Sequence, residues 1–233
     1  MMQLFCLHFA GGSCYSFDFL KNIINQEIEF IGLELPGRGR RIEEELIYQM
    51  SSAIDDYVEQ IKSYRNNSPY IILGHSMGAV LGFNVVCKLE SIGDPPIHLI
   101  LSGNSGPGIF NKVTKKYKLG KEAFKKELRK LGGIPEEILN NNELYNFFEP
   151  IIRADFRILE DRIYNIEEFL KIETPIYALM GNREEHYKEI SNWSNFTSGK
   201  FQGKILEGDH FFIYTHAKKI ASIVQNCFLL HIP

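Results

Sequence analysis

Short apolar segments alternate with longer amphipathic ones along most of this 233-residue chain. The short segments are rich in β-branched and aromatic residues and are bounded by glycine or polar residues, a pattern that predicts buried strands. They cover residues 3–8, 29–35, 70–74, 97–103 and 175–181, with a further strand pattern at 203–207. Helical periodicity covers residues 46–64, 77–91 and 215–230. This alternation predicts an α/β fold, in which a mostly parallel sheet is covered by helices on both faces.

One long stretch interrupts the alternation. Residues 109–170 are rich in Lys, Glu, Asn and Leu and have helical spacing, but they contain no convincing strand pattern. We interpret them as a helical insertion between two strands, which forms either a lid over a site or an extra helical layer. No repeat, low-complexity tract or linker marks a second domain, so residues 1–233 are expected to form a single domain.

Composition and charge exclude several classes of protein. Hydrophobic residues make up 44% of the chain and charged residues 24%, as in soluble globular proteins. The formal net charge of -3 leaves no basic excess for a phosphate backbone, so we expect no nucleic-acid partner. No apolar run approaches the roughly 20 residues that span a bilayer, and the first apolar run lacks the basic flank of a signal peptide. We therefore expect a soluble, cytoplasmic protein that does not contact membranes.

The four cysteines are scattered at positions 6, 14, 87 and 227. They form no C-x-x-C pair and no Cys/His pattern with the spacing of metal ligands. We expect four reduced thiols and no metal site.

The strongest signal for chemistry is the sequence Gly-His-Ser-Met-Gly at positions 74–78, which lies between a strand pattern and a helix pattern. A G-x-S-x-G sequence in this context is typical of a nucleophile elbow, a strained turn that presents a serine hydroxyl above the edge of a sheet. Its two glycines allow the strand and the helix to pack closely around the turn. The pattern predicts an α/β-hydrolase fold in which Ser76 is the nucleophile.

A serine needs a general base, which in this fold follows it in the chain order Ser, acid, His. His210 is the best candidate, because it lies between the last strand pattern and the terminal helix, in a turn that can direct its imidazole towards Ser76. The remaining histidines fit less well. His75, inside the elbow, is expected to point away.

The acid is expected in the turn after the strand at 175–181, which contains Glu184 and Glu185. A glutamate can orient a histidine as an aspartate does, although its extra methylene requires a different backbone position. We favour Glu184. Glu185 and Asp209, which is adjacent to His210, remain alternatives.

Stabilisation of an oxyanion needs two backbone amides, one from the residue after the nucleophile and one from an earlier loop between a strand and a helix. Met77 supplies the first. The loop at residues 8–13 is rich enough in glycine for close backbone approach, and Ala10 is the candidate there.

Beyond these residues, the chain resembles the type II thioesterases that accompany nonribosomal peptide and polyketide synthases, nearly from end to end. The segments that carry the resemblance are HFAGGS at 8–13, LPGR at 35–38, GHSMGA at 74–79, SG at 102–103, GGIP at 132–135, RADF at 153–156, Trp193 followed by Thr197, and GDHFF at 208–212. The resemblance implies hydrolysis of acyl thioesters on the phosphopantetheine arm of an acyl or peptidyl carrier protein, which removes misloaded or stalled acyl groups. It also implies that no cofactor is needed, and we expect a monomer.

The chain departs from the family pattern at three positions. The family's acid is usually the second aspartate of a Gly-Asp-x-Asp-like turn, and that position is Glu184 here, while the first aspartate position is Asn182. Gly39 stands where the family usually has a glutamate after Pro-Gly-Arg.

Two other functions remain open from the sequence. A general carboxylesterase or acyl-CoA thioesterase would use the same triad, and the segments at 8–13 and 153–156 argue against it. An inactive binding protein on a hydrolase scaffold is favoured by the missing aspartate and disfavoured by the presence of Ser76 and His210.

Overall fold

The computed structural model describes residues 1–109, 115–161 and 171–229. Its centre is a six-stranded sheet with the strand order β2-β1-β3-β4-β5-β6, in which neighbouring strands pair in parallel. The strands are β1 (Met2–Leu7), β2 (Ile28–Leu33), β3 (Tyr70–His75), β4 (His98–Ser102), β5 (Ile176–Gly181) and β6 (Phe201–Leu206). The predicted α/β class is confirmed, and the observed bounds of each strand lie within two residues of the predicted ones.

Helices connect the strands, and all but the short first helix lie in segments for which a helix was predicted. They are α1 (Asp18–Lys21), α2 (Met50–Tyr64), α3 (Met77–Ser91), α4 (Lys121–Leu131), α5 (Glu136–Asn140), α6 (Asn142–Glu160) and α7 (Ala217–Leu229). Helix α2 begins at Met50 rather than at the predicted residue 46. Leu46 lies in an irregular segment before the helix, and its side chain packs against Gly37. The predicted last residue of the terminal helix, residue 230, is outside the described residues.

Both faces of the sheet are covered, because successive side chains of a strand point to opposite faces. In β1, Leu4 and Cys6 pack with α1 and α7, whereas Phe5 and Leu7 pack with α2 and α3. A 3₁₀ segment, Tyr187–Phe196, which the sequence analysis did not anticipate, adds its buried aromatic side chains to the second face. Within the described ranges, no helix is both long enough and apolar enough to cross a membrane.

The helices α4, α5 and α6 lie between β4 and β5, where the helical insertion was predicted. Asn141 caps α6 by accepting hydrogen bonds from two amides of its first turn. The insertion has a small core of its own, formed by Phe124, Leu128, Leu139, Tyr145, Ile152 and Phe156. Residues 110–114 and 162–170 of the predicted insertion lie outside the described residues.

The strand order determines where a site can form. The chain runs from β1 to β2 on one side and then returns to β3 on the other side of β1, so the loops that follow β1 and β3 diverge. In open parallel sheets, ligands bind in the crevice at the carboxyl ends of strands near such a reversal. The loops after β1, β3, β5 and β6 contain the residues selected from the sequence.

Candidate active site

The turn between β3 and α3 holds Ser76 in a strained conformation, with φ +55° and ψ -111°. A Cβ atom on Gly74 would lie 2.0 Å from the carbonyl oxygen of Gly78, and a Cβ atom on Gly78 would lie 2.0 Å from that of Leu7. Only glycine fits at either position, which explains the spacing of the motif. The amide of Ser76 also donates to the carbonyl of Ser102 at 2.7 Å, which fixes the turn to β4.

A chain of hydrogen bonds runs from this serine to a buried carboxylate. The Oγ atom of Ser76 lies 2.9 Å from Nε2 of His210, and Nδ1 of His210 lies 2.6 Å from Oε2 of Glu184. Because a carboxylate only accepts hydrogen bonds, the ring proton belongs on Nδ1, and Nε2 is left to accept from the serine hydroxyl. The side chain of Glu184 is 6% exposed and that of His210 is 20% exposed, so the acid is enclosed while the imidazole stays accessible.

The turn after β5 holds Glu184 in place. Its second carboxylate oxygen accepts a hydrogen bond from the amide of Gly181 at 2.7 Å. The side chain of Asn182, at the other departure in this turn, accepts from the amide of Gly208 at 3.0 Å. Asn182 therefore ties the turn that carries the acid to the loop that carries His210.

The two alternative acids have other contacts. The side chain of Glu185 is 82% exposed and lies 3.7 Å from Nε2 of His186. The carboxylate of Asp209 accepts a hydrogen bond from the amide of Phe211 at 3.0 Å. Of the three acids considered from the sequence, Glu184 is the one in hydrogen-bond contact with His210.

The expectation that His75 points away from the site is wrong. Its buried ring packs against that of His210, with 4.9 Å between the ring centroids, and its Nδ1 atom lies 3.0 Å from Oγ of Ser102. Burial, followed by the charge that His210 can carry, holds the pKa of His75 well below its usual value. His75 is thus a neutral ring that supports the imidazole of His210. The sequence contains no signal for this contact, which depends on the distant loop after β6.

The two amides predicted to bind an oxyanion lie in the turns that follow β3 and β1. Met77 is the first residue of α3, where an N–H group has no partner within the helix. Ala10 lies in a turn in which the carbonyl of Phe9 accepts from the amide of Gly12 at 2.9 Å. The role of both amides remains a prediction.

A neutral histidine holds the start of this turn. Nδ1 of the buried His8 lies 2.9 Å from the carbonyl oxygen of Phe9, and the amide of Leu35 donates to its Nε2 at 3.4 Å. Burial, followed by the positive charge of Arg38, lowers the pKa of His8 to about 4. The ring therefore joins the ends of β1 and β2 without carrying a charge at neutral pH.

A buried ion pair that was not predicted from the sequence lies behind the same turn. Arg38 donates from both terminal nitrogens to the two oxygens of Asp155, at 2.6 and 2.7 Å, and both side chains are buried. The same carboxylate accepts from the amide of Gly11 at 2.8 Å. Both charged residues lie in segments that carry the family resemblance, at 35–38 and 153–156, but the sequence does not indicate that these segments meet.

The structure explains the departure at Gly39. A Cβ atom there would lie 2.1 Å from Oε1 of Glu34, whose carboxylate accepts hydrogen bonds from the amides of Cys14 (3.1 Å) and Arg40 (2.7 Å). In this chain a carboxylate from position 34 fills the space that a side chain at position 39 would need.

Across 1–109, 115–161 and 171–229, no three or more His, Cys, Asp or Glu side chains are grouped so that they could hold a metal ion.

A parallel sheet with a serine elbow after β3, a carboxylate after β5 and a histidine after β6 defines the α/β-hydrolase fold. A family model described as thioesterase domain matches residues 2–228, so the chain belongs to this thioesterase family. It is a thioester hydrolase.

Named relatives agree with this assignment. Gramicidin S biosynthesis protein GrsT of Aneurinibacillus migulanus is 32% identical over 216 residues, which cover 91% of this chain and 83% of that protein. ClbQ from the colibactin NRPS/PKS pathway superposes with a TM-score of 0.89 at 29% identity, covering 97% of this chain and 96% of that one. The type II thioesterase BorB from the borrelidin biosynthetic cluster superposes with a TM-score of 0.87 at 28% identity, covering 97% and 92%. The resemblance to type II thioesterases is confirmed.

Proposed function

We propose that this chain is an editing thioesterase, which removes misloaded or stalled acyl groups from the phosphopantetheine arms of acyl or peptidyl carrier proteins. The observation that carries the proposal is the hydrogen-bonded series Ser76, His210 and Glu184 in a member of the thioesterase family. The similarity to proteins of peptide and polyketide synthesis supports the choice of carrier-bound substrates.

In the first half-reaction, Oγ of Ser76 attacks the thioester carbonyl while Nε2 of His210 takes the hydroxyl proton. Glu184 holds the ring in the correct tautomer and stabilises the imidazolium that forms. The amides of Ala10 and Met77 donate to the oxyanion of the tetrahedral intermediate. As the carbon–sulfur bond breaks, His210 returns its proton to the departing thiolate, and an acyl ester remains on Ser76.

In the second half-reaction, a water molecule takes the place of the serine as nucleophile. Nε2 of His210 removes a proton from the water, and the resulting hydroxide adds to the acyl ester carbonyl. Collapse of this second intermediate breaks the bond to Ser76 and returns the proton to its Oγ atom. The products are a free acid and a free thiol, and the enzyme is regenerated without a cofactor.

The first test compares leaving groups. An acyl-N-acetylcysteamine thioester should be hydrolysed faster than the oxygen ester of the same acid, because the pantetheine-like thiol is both the better leaving group and the part that the site is proposed to recognise. A clear preference for the oxygen ester would contradict the proposal and indicate a general carboxylesterase.

The second test addresses the carrier. The same acyl group is presented on a phosphopantetheinylated carrier protein and on coenzyme A, and kcat/KM should be higher for the carrier. An equal or higher value for coenzyme A would indicate an acyl-CoA thioesterase. In both tests Ser76→Ala is the control, and it should abolish hydrolysis as well as labelling by a fluorophosphonate probe.

A further inference from the structure

We propose that Asp155, together with Arg38, positions the turn that supplies one of the two oxyanion donors. The turn is defined here as the oxyanion loop, residues 9–12, and the inference rests on the proposed role of the Ala10 amide. On this account helix α6 of the insertion contributes to catalysis through the backbone of a distant loop. Neither charged side chain would touch the substrate.

The contact lies one peptide unit away from the proposed donor. Asp155 accepts from the amide of Gly11 at 2.8 Å, and this amide belongs to the same planar peptide as the carbonyl of Ala10. The amide of Ala10 is joined to that plane through its own Cα atom. A shift of the Gly11 amide therefore rotates the neighbouring peptide, whose N–H group must point at the oxyanion.

The other half of the ion pair holds the next residue of the loop. A terminal nitrogen of Arg38 donates to the carbonyl of Gly12 at 3.4 Å while it also binds Asp155. The pair thus holds two successive residues of the oxyanion loop, one by its amide and one by its carbonyl. These two hydrogen bonds restrict rotation of the peptide units at Gly11 and Gly12.

Helix α6 packs against the oxyanion loop through the helix face that carries Asp155. Ile152, one helical turn before Asp155, has a methylene carbon 3.1 Å from where a Cβ atom on Gly11 would lie. Residues three apart on a helix share a face, so one face of α6 provides both the apolar contact and the carboxylate. Ala10 itself packs both against the core between the sheet and helices α2 and α3 and against the core of the insertion.

Stability alone does not account for a charged pair at this place. Asp155 is fully buried and Arg38 is 3% exposed, so both groups lose their hydration on folding. Replacing a buried ion pair by apolar residues of similar volume is often neutral or stabilising. What apolar residues cannot provide is the oxygen that binds the Gly11 amide and the N–H group that binds the Gly12 carbonyl.

The test replaces the pair as a unit. The double variant Arg38→Met/Asp155→Leu leaves no unpaired buried charge, so it should fold. Its melting temperature should fall by a few degrees, because the Gly11 amide and the Gly12 carbonyl lose their partners. Its kcat for an acyl-N-acetylcysteamine thioester should fall by about 10²-fold, the scale for loss of one oxyanion donor, while KM changes little. Arg38→Met/Asp155→Asn also leaves no buried charge unpaired but keeps an oxygen for the Gly11 amide, so its kcat should fall less.

A second, less buried ion pair in the chain is a control for position. Arg65 and Asp94 also form a bidentate pair, with both bonds at 3.1 Å, but they lie near the start of β3, at the opposite end of the strands from Ser76. Arg65→Met/Asp94→Leu should leave kcat and KM unchanged.

The possible outcomes distinguish failure of the positioning role of Arg38 and Asp155 from failure of the proposed function. A folded Arg38→Met/Asp155→Leu variant with wild-type kcat would overturn the positioning role. Equal kcat losses in Arg38→Met/Asp155→Leu and Arg38→Met/Asp155→Asn would also overturn it, because the retained oxygen would then have no effect. If the wild-type protein labels with a fluorophosphonate but does not hydrolyse thioesters, the proposed function fails. The positioning role of Arg38 and Asp155 is then tested by the rate at which the probe labels Ser76, which also depends on the oxyanion donors.

Discussion

Glu184 shows how one side chain adapts to the extra methylene of a glutamate. Its amide donates to the carbonyl of Gly181 at 3.1 Å, and one of its carboxylate oxygens accepts from the amide of Gly181 at 2.7 Å. The side chain therefore folds back over its own turn, which takes up the additional length. The other oxygen is left to meet His210 at 2.6 Å.

We expect Glu184→Gln to lower kcat by about 10⁴-fold, because the neutral amide neither stabilises the imidazolium nor enforces the tautomer with the proton on Nδ1. Steady-state hydrolysis of an acyl-N-acetylcysteamine thioester measures the effect. Glu185→Gln and Asp209→Asn are the matched controls, and both should stay near the wild-type rate. The assignment would be contradicted if Glu184→Gln kept normal activity while one of the controls lost it.

Glu184→Asp distinguishes the role of the negative charge from that of the length of the side chain. The shorter side chain keeps the negative charge but cannot contact both His210 and the Gly181 amide from the present backbone. Its kcat should therefore lie between those of the wild type and Glu184→Gln.

Among the secondary-structure elements, the turn between α4 and α5 touches the site directly. It contains Gly132 and Gly133, and a Cβ atom on Gly133 would lie 2.0 Å from the ring of Phe211. That ring packs against His210, with 5.2 Å between centroids, and against Phe9, at 5.0 Å. The insertion therefore contacts the neighbourhood of Ser76 both here and through Asp155, which supports the lid interpretation. That interpretation itself remains a prediction.

We expect Gly133→Ala to displace the ring of Phe211 and to lower kcat/KM by about tenfold or more, because small misplacements near reacting groups are costly. Gly132→Ala is the control. Both glycines have positive φ (+76° and +81°), so both variants pay a similar backbone strain, but a Cβ atom on Gly132 would lie 3.8 Å from Phe211. Both melting temperatures should fall, and that of Gly133→Ala should fall further because the new Cβ atom also displaces Phe211. The value of kcat/KM should fall in Gly133→Ala and stay near the wild-type value in Gly132→Ala. Equal kinetic losses would mean that strain in the turn, rather than the contact with Phe211, affects the site.

At the scale of the whole molecule, the sequence predicts those contacts that follow from the order of the strands along the chain. Ser76, Glu184 and His210 each follow a strand of a parallel sheet, and carboxyl ends of parallel strands meet at one edge, so alternation and motif spacing suffice to group them. The ion pair of Arg38 and Asp155 is different, because its partners are 117 residues apart and meet only through the packing of α6. The packing of the His75 ring against His210 likewise depends on tertiary contacts that no local pattern encodes.

Acid should destabilise the fold through His8. Its pKa is 6.5 in the reference state and about 4 when folded, so between these values the unfolded chain binds a proton that the folded chain does not. The free energy of unfolding should therefore fall by about 3 kcal/mol as the pH drops through this window, with no further loss from His8 below it. Denaturant unfolding at pH values of about 7 and about 4 measures the loss. His8→Gln should show a smaller loss, and an equal loss would contradict the assignment.

The contact of Arg38 with Asp155 also limits how parts can be exchanged between relatives. The insertion is an attractive unit to graft, because it lies between two strands and has a core of its own. An insertion transplanted into this chain without an aspartate at position 155 would leave Arg38 buried and uncompensated, a cost of several kcal/mol. An insertion grafted into this chain should therefore be accepted when it supplies an aspartate at position 155, and a graft without that aspartate should fail to fold before its substrate choice can be measured.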